Sequence, residues 1–291
     1  MTATAHSAAM ERAALLVEAL PYIQRFRGRV VVVKLGGNAM GGDELAGTFA
    51  EDIVLMHSVG LRPVVVHGGG PQISALMERL GKVPEFRDGH RVTDAETVDI
   101  ARMVLVGKVN REIVSSINVH GPLAVGVSGE DAGLILAEAR NPDLGFVGDV
   151  DAVNPALLER LLAEELIPVV STIGADASGQ AYNINADAVA GAVAEALGAE
   201  KVIYLTDVEG LLADVSDPAS LIGQISAPEL QALVDDGTLT GGMIPKVAAC
   251  LHAVAHGVGS AHLLDGRLPH VVLLELFSDA GVGTMITPEA T

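Results

Sequence analysis

The chain has no tryptophan, only 3 tyrosines and 5 phenylalanines, and a single cysteine in 291 residues. One thiol cannot close an internal disulfide. Within the apolar run KVAACLHAV, Cys250 reads as a small core residue in a reducing cytosol, without chemistry of its own. Basic residues are scarce as well: 18 Lys and Arg stand against 37 Asp and Glu, a formal charge of −19 that duplex nucleic acid or an anionic membrane would repel. No run of about 18 apolar residues lacks a charge, so no membrane-spanning helix is expected. The opening MTATAHSAAMERAALL has no basic n-region and meets Glu11 inside its apolar stretch, which argues against a secretory signal. What the chain has in quantity is apolar residues, 49% of the total with a mean hydropathy of +0.42, enough for one large core or two lobes.

β-branched runs alternate with Ala/Leu-rich segments, the pattern of an α/β protein with a largely parallel central sheet. Strands are expected at Arg29–Leu35, Arg62–His67, Leu123–Val127, Ile167–Ile173, Lys201–Thr206 and Ser260–Leu264, mostly unbroken apolar runs of the kind covered on both faces. Helices are expected at Asp43–Ser58, Pro71–Leu80, Asp94–Asn118, Pro155–Glu165, Asp187–Leu197 and Met243–His256. Short Gly-punctuated text between Pro84 and Val92, and between Leu134 and Val150, suggests hairpins inserted to wall a pocket. No repeat or long linker divides the chain, which reads as one fold of two lobes meeting near Gln180–Asn185. Residues 9 to 27 form a separate amphipathic arm with Leu16, Leu20 and Ile23 on one face and a kink at Pro21.

The first strand ends in Val33-Lys34-Leu35-Gly36-Gly37-Asn38, so a lysine sits at the carboxyl end of a buried strand, where open α/β sheets bind ligands. A buried ammonium needs an anionic partner unless it snorkels to the surface. The second strand repeats the arrangement as Val66-His67-Gly68-Gly69-Gly70-Pro71, a glycine turn whose N–H groups and following helix make an anion site, or simply a tight turn. Neither the Walker A spacing nor the Gly-x-Gly-x-x-Gly dinucleotide fingerprint is present. In Tyr182-Asn183-Ile184-Asn185-Ala186-Asp187, three polar residues alternate along an extended approach to a helix, and Asn185 or Asp187 also suits its N-cap. Gly241-Gly242-Met243-Ile244-Pro245-Lys246 puts a lysine in the first turn of a helix, against the macrodipole, which suggests a bound anion or a solvated side chain. His252 and His256 stand four apart with His262 nearby, but no Glu or Cys accompanies them at ligand spacing, so solvated or core histidines and no metal centre are expected.

VVVKLGGNAM, VVVHGGGPQI, DGHRVTD, NINADAVA, YLTDVEGLL and GGMIPK, in this order from about Val30 to Ile286, resemble the amino-acid kinases. HGGGPQI, GHRVTD and NINAD together narrow the resemblance to the branch that phosphorylates N-acetyl-L-glutamate in arginine biosynthesis. The resemblance implies a three-layer αβα sandwich in which residues 1–28 form the arm, 29–182 an acetylglutamate-binding and dimerising lobe, and 183–291 an ATP-binding lobe. It implies that Lys34 and Lys246 flank the transferring phosphoryl group with Asp187 holding both. Gly69, Gly70, Arg91, Asn183 and Asn185 would bind the acceptor, Arg91 taking its α-carboxylate. Gly36, Gly37, Thr206, Asp207, Gly210, Leu211, Gly242 and Met243 would serve ATP, with Mg²⁺ carried on the nucleotide. A carboxylate with a pKa near ~4.3 is already ionised at neutral pH, so the nucleophile needs no general base, only charge compensation. Some members of the family are arginine-inhibited hexamers, trimers of dimers interlaced by a kinked N-terminal helix. By the same resemblance Tyr22, Glu275 and Gly281 would take the effector L-arginine. Two alternatives stand beside this reading: another amino-acid kinase with a different acceptor, and a non-enzymatic sensor of ATP or arginine.

Overall fold

The computed structural model describes residues 10, 13–36, 43–214, 217–239, 243–278 and 281–289. Residues 13–18 are helical and the helix breaks at Ala19, just before α1 (Leu20–Phe26), whose first turn holds Pro21. Proline has no N–H to continue the preceding helix, and the expected kink falls there. β1 (Val30–Leu35), α2 (Asp43–Ser58), β2 (Arg62–His67) and α3 (Gly70–Arg79) follow, the two strands buried along all but their first residue. β3 (Phe86–Arg87) and β4 (His90–Arg91) form the first expected hairpin. Its turn residues Asp88 and Gly89 have φ of +49° and +77°, the left-handed pair that a two-residue hairpin turn demands.

The long helix expected over Asp94–Asn118 is α4 (Ala95–Val104), a π turn at Leu105–Val109 and α5 (Asn110–Asn118). Asp94 caps α4 by accepting from the Thr97 N–H at 2.8 Å. β5 (Ala124–Ser128), β6 (Ile135–Ala139), β7 (Val147–Val153) and α6 (Ala156–Ala163) come next. The apolar run expected as one strand at Ile167–Ile173 splits at Thr172 into β8 (Ile167–Ser171) and β9 (Ile173–Ala175), which join different sheets. The chain continues through β10 (Ala181–Ile184), α7 (Ala186–Ala196), β11 (Lys201–Thr206), β12 (Gln224–Ser226), α8 (Ala227–Asp235), α9 (Met243–Ala255), β13 (Ser260–Asp265), α10 (Val271–Phe277) and β14 (Thr284–Thr287).

Eight strands pair in the order β12-β14-β13-β11-β1-β2-β8-β5, all parallel except β13 against β14. The pleat sends alternate side chains to opposite faces. Val31, Val33 and Leu35 join Phe49, Ile53 and Ile113 in one core, whereas Val32, Val64 and Val66 join Val189, Val193 and Val254 in the other. The result is the expected three-layer αβα sandwich. From β1 the chain crosses to β2 on one side, and from β11 it crosses to β13 on the other, so the carboxyl ends of β1 and β11 border the switch point where such sheets open a crevice. β6, β7, β9 and β10 close into a small barrel beside it, which accounts for the second expected insertion. No described helix is long and apolar enough to cross a membrane.

Candidate active site

Lys34 is the next-to-last residue of β1, held in register between Val66 and Tyr204 and 7% exposed. Its Nζ lies 2.7 Å from Asp187 Oδ1. Asp187 is placed by the N-cap of α7: the Asn185 side chain accepts from the Asp187 N–H at 2.7 Å and from the Ala188 N–H at 3.3 Å. The carboxylate in the first turn is favoured there by the helix dipole. The NINAD segment therefore does two things at once, ending a strand in a helix cap and setting a carboxylate against the lysine.

Arg91, on β4, is also 7% exposed and faces the same cavity, which has a volume of about 260 Å³. Its Nη2 donates to the Gly70 carbonyl at 2.9 Å and to Ser74 Oγ at 2.8 Å, and the guanidinium lies 4.8 Å from the Phe86 ring centroid. Burial lowers its pKa from the ordinary value, though a guanidinium stays charged. No carboxylate pairs with it among the described residues. Its partners are a carbonyl, a hydroxyl and a ring, none of which neutralises the charge, so the guanidinium can take an anion from the cavity. Gly69, Gly70, Asn183, Asn185 and Asp187 line the cavity with Lys34 and Arg91, so of the eight residues expected around acceptor and phosphoryl group all but Lys246 meet there.

Sequence reasoning gave no role to His67, the residue that sets the glycine turn. It is fully buried at the end of β2. Asn110 Nδ2 donates to its Nε2 at 3.1 Å and its Nδ1–H donates to the Gly68 carbonyl at 3.0 Å, so the ring is neutral and pins the turn. The π turn brings Leu105 against the same turn: a Cβ on Gly69 would stand 2.7 Å from Leu105 Cδ2, so this position requires glycine or a shift of Leu105. Burial depresses the His67 pKa to about 4 from an ordinary 6.5. Above pH 6.5 both folded and unfolded forms are neutral; below it only the unfolded chain takes up the proton. Stability is therefore lost as the pH falls from 6.5 towards 4, by roughly 3 kcal/mol at the end of that window. Denaturant melts at stepped pH should show this loss in the parent and its absence in His67→Gln.

A second cavity, of about 1080 Å³, is lined by Asp207, Gly210, Leu211, Met243 and Lys246 among others. Thr206 does not line it. This residue is 5% exposed, and its Oγ1 donates to the Val208 carbonyl at 2.9 Å, which shapes the turn after β11. Gly36 lies beside Lys34: a Cβ there would meet the Leu205 carbonyl at 3.0 Å and Lys34 Nζ at 3.4 Å. Gly37 and Gly242 lie outside the described residues. Asp187 was expected to hold both lysines; its ion pair among the described residues is with Lys34, and Lys246 points instead into the second cavity from the first turn of α9.

The model of the amino acid kinase family matches residues 29–265, from β1 through β13. The chain belongs to the amino acid kinase family. It is 56% identical to the acetylglutamate kinase of Saccharopolyspora erythraea over 98% of this chain and 96% of that protein. It is 54% identical to the acetylglutamate kinase of Nostoc sp. over 94% of this chain and 93% of that one. Among solved structures, the N-acetylglutamate synthase of Neisseria gonorrhoeae complexed with coenzyme A and N-acetyl-glutamate matches with a TM-score of 0.83 at 27% identity. The match covers 96% of this chain but 64% of the synthase, so this chain spans under two thirds of that protein. The same synthase complexed with coenzyme A and L-arginine matches with a TM-score of 0.81 at 27% identity, over 96% of this chain and 66% of that one. Giardia carbamate kinase, at 17% identity and a TM-score of 0.68 over 90% of this chain and 99% of that one, shows the shared amino acid kinase fold.

Two further groups of expected residues lie away from the cavities of this amino acid kinase. Glu275, on α10, is held by the buried His262, whose Nδ1 stands 2.8 Å from Glu275 Oε1. On the other side of that ring, Lys201 Nζ donates to Nε2 at 2.9 Å. Burial, with Arg25 adding to it, lowers the Lys201 pKa to about 8. Burial alone would raise the Glu275 pKa, but His262 and Lys201 outweigh it and hold the carboxyl below its ordinary value. Tyr22 packs half-buried against the core, and Gly281 is exposed. His262 is thus a core histidine, as expected. His252 and His256 are exposed, as expected of solvated histidines; the fold also brings Glu195 from α7 to them, with its Oε2 3.5 Å from His252 Nε2, a third donor that spacing along the chain could not reveal.

Proposed function

We infer that this chain catalyses ATP-dependent phosphorylation of the γ-carboxylate of N-acetyl-L-glutamate, giving N-acetyl-L-glutamyl 5-phosphate and ADP, in arginine biosynthesis. The near-full-length relatives named acetylglutamate kinase support it, and the observation that carries it is a buried, carboxylate-free Arg91 facing the same cavity as Lys34. Arg91 takes the α-carboxylate as a guanidinium fork, the incoming oxygen replacing Ser74 Oγ on Nη2 while the Gly70 carbonyl keeps its bond. Asn183 and the N–H groups at Gly69 and Gly70 hold the rest of the acceptor. Lys34, fixed by Asp187, and Lys246, approaching from the second cavity, compensate the phosphoryl charge as the carboxylate attacks in line.

ATP occupies the second cavity, bounded by Asp207, Gly210, Leu211 and Met243. Mg²⁺ supplies charge neutralisation on its phosphates; the described residues gather no three carboxylates at ligand distance that would cage the ion. The acceptor lobe spans residues 29–182 and the nucleotide lobe 183–291, with 1–28 as the arm. We also propose feedback by L-arginine in a hexamer, a trimer of dimers, with Glu275 as guanidinium partner and Tyr22 and Gly281 beside it. The packing of Tyr22 and α10 against one core supports a shared site there. Activity and acceptor half-saturation that stay unchanged in millimolar arginine would remove this part.

The reaction is tested with Mg·ATP and hydroxylamine, which traps an acyl phosphate as hydroxamate. Signal with N-acetyl-L-glutamate and none with L-glutamate, L-aspartate or no acceptor is the expected result. Equal signal with an unacetylated amino acid would point to another acceptor, and no signal from folded, ATP-binding protein would favour a sensor.

A further inference from the structure

The face where α7 packs on α9 lies outside both cavities and has no part in the reaction above. The two helices approach closely because small residues meet there: a Cβ on Gly191 would stand 3.7 Å from the Ala249 carbonyl and 3.9 Å from Ala253 Cβ. One turn beyond Gly191 is Glu195, and at the same level stand His252, in the last turn of the facing helix, and His256, just past its end. One donor atom from each of these three side chains lies within 4.8 Å of the other two. The His252 Nε2 to Glu195 Oε2 separation of 3.5 Å is long for a hydrogen bond. It is close to the spacing of two ligands on a tetrahedral ion, since ligands about 2.0–2.1 Å from Zn²⁺ stand about 3.4 Å apart.

The histidines are arranged as ligands in a second respect. His256 Nδ1–H donates to the His252 carbonyl at 2.7 Å, which fixes the tautomer and leaves Nε2 as a bare lone pair. A backbone carbonyl in this position is the usual outer partner of a metal-bound imidazole. The two rings overlap, with centroids 4.0 Å apart and planes 33° from parallel, a contact that two imidazolium cations would resist and a shared cation would hold. The side chains of His252 and Glu195 are 55% and 38% exposed, so an ion reaches them from solvent and their rotamers can close on it.

We propose that Glu195, His252 and His256 bind a borderline divalent transition ion, with Zn²⁺ as the probe, and that the ion staples the C-terminal end of α7 to that of α9. Two imidazoles and one carboxylate suit Zn²⁺, Ni²⁺ or Cu²⁺ and not Mg²⁺ or Ca²⁺, which prefer all-oxygen shells. The fourth position is left to water. These are the two helices whose first turns hold Asp187 and Lys246.

The test uses the full chain without a polyhistidine tag, stripped with chelator and kept free of nucleotide, so that it does not depend on kinase activity. Added Zn²⁺ should bind at one ion per chain and raise the melting temperature, by about 5 °C when free metal exceeds Kd a hundredfold. Co²⁺ in its place should give a visible absorption band, and amide exchange should slow in residues 190–196 and 249–256. In chelator, His252→Ala and His256→Ala should melt with the parent, since both side chains are exposed; with Zn²⁺ each should lose the temperature shift and the Co²⁺ band. A shift that survives in the double histidine variant, no binding by the parent, or binding without added protection at residues 190–196 would each overturn the proposal.

Discussion

Replacing Lys34 by alanine is expected to lower kcat by about 10²–10³-fold or more, with the KM for acetylglutamate changed far less. The ammonium sits at the carboxyl end of β1, facing the cavity and 2.7 Å from Asp187. A cation held there before substrate arrives needs no reorganisation as negative charge builds on the transferring phosphoryl group, so its loss falls on the transition state more than on the bound acceptor. A second consequence follows from burial. Lys34 and Asp187 are both 7% exposed, and removing one member of a buried pair leaves an uncompensated charge, a cost of about 3–5 kcal/mol. Loss of turnover through a weakened fold is separable from loss of the cation by the double variant Lys34→Ala with Asp187→Asn. It should regain most of the stability that Lys34→Ala gives up and none of the rate. Recovery of rate in the double variant, or equal losses in ATP binding and turnover for the single one, would show that Lys34 acts on the fold or on binding instead.

What the sequence disclosed was what local chemistry controls. The glycine turn after β2, the Asp-Gly hairpin that carries Arg91 and the Asn185 cap that sets Asp187 are each settled within a few residues, and each stands where it was expected. Unbroken valine runs likewise marked β1 and β2 as strands covered on both faces. The missed features depend on sheet order or on packing between distant segments. Thr172 looks like the continuation of β8, yet the chain changes sheets there because β9 pairs with β6 and β10. β12, β14, α8 and α10 are short and went unassigned, since 3 to 9 residues carry little periodicity. His67 stood inside a quoted motif, but its role depends on Asn110, 43 residues away. Glu195 meets His252 across two helices for the same reason, whereas His252 and His256 were visible as a pair because they stand four residues apart, at the end of α9 and just past it.

Substituting Arg91 by lysine is expected to raise the KM for acetylglutamate at least about 100-fold, with the KM for ATP unchanged. The reason lies in how the guanidinium is already used. Gly70 O and Ser74 Oγ share Nη2, Met77 Sδ lies 3.4 Å from Nη1, and the Phe86 ring stacks at 4.8 Å, so the plane is fixed before any acceptor binds. Two charge-assisted hydrogen bonds to a carboxylate, at about 1.5–3 kcal/mol each, amount to roughly a 100-fold change in affinity or more. Lysine keeps the charge but has no planar fork: arginine presents a two-donor edge once Ser74 Oγ yields its Nη2 proton, with Gly70 still held, whereas an ammonium on a flexible stem cannot hold Gly70 while also meeting a carboxylate side by side. Charge alone would make Arg91→Lys nearly silent and Arg91→Met severe; geometry makes both severe, with lysine retaining more stability. A rise in KM of less than threefold for the lysine variant, with a parent-like melting temperature, would assign the α-carboxylate to another residue of the cavity. The Asn183 side chain and the N–H groups at Gly69 and Gly70 line the same wall and would be the next to vary.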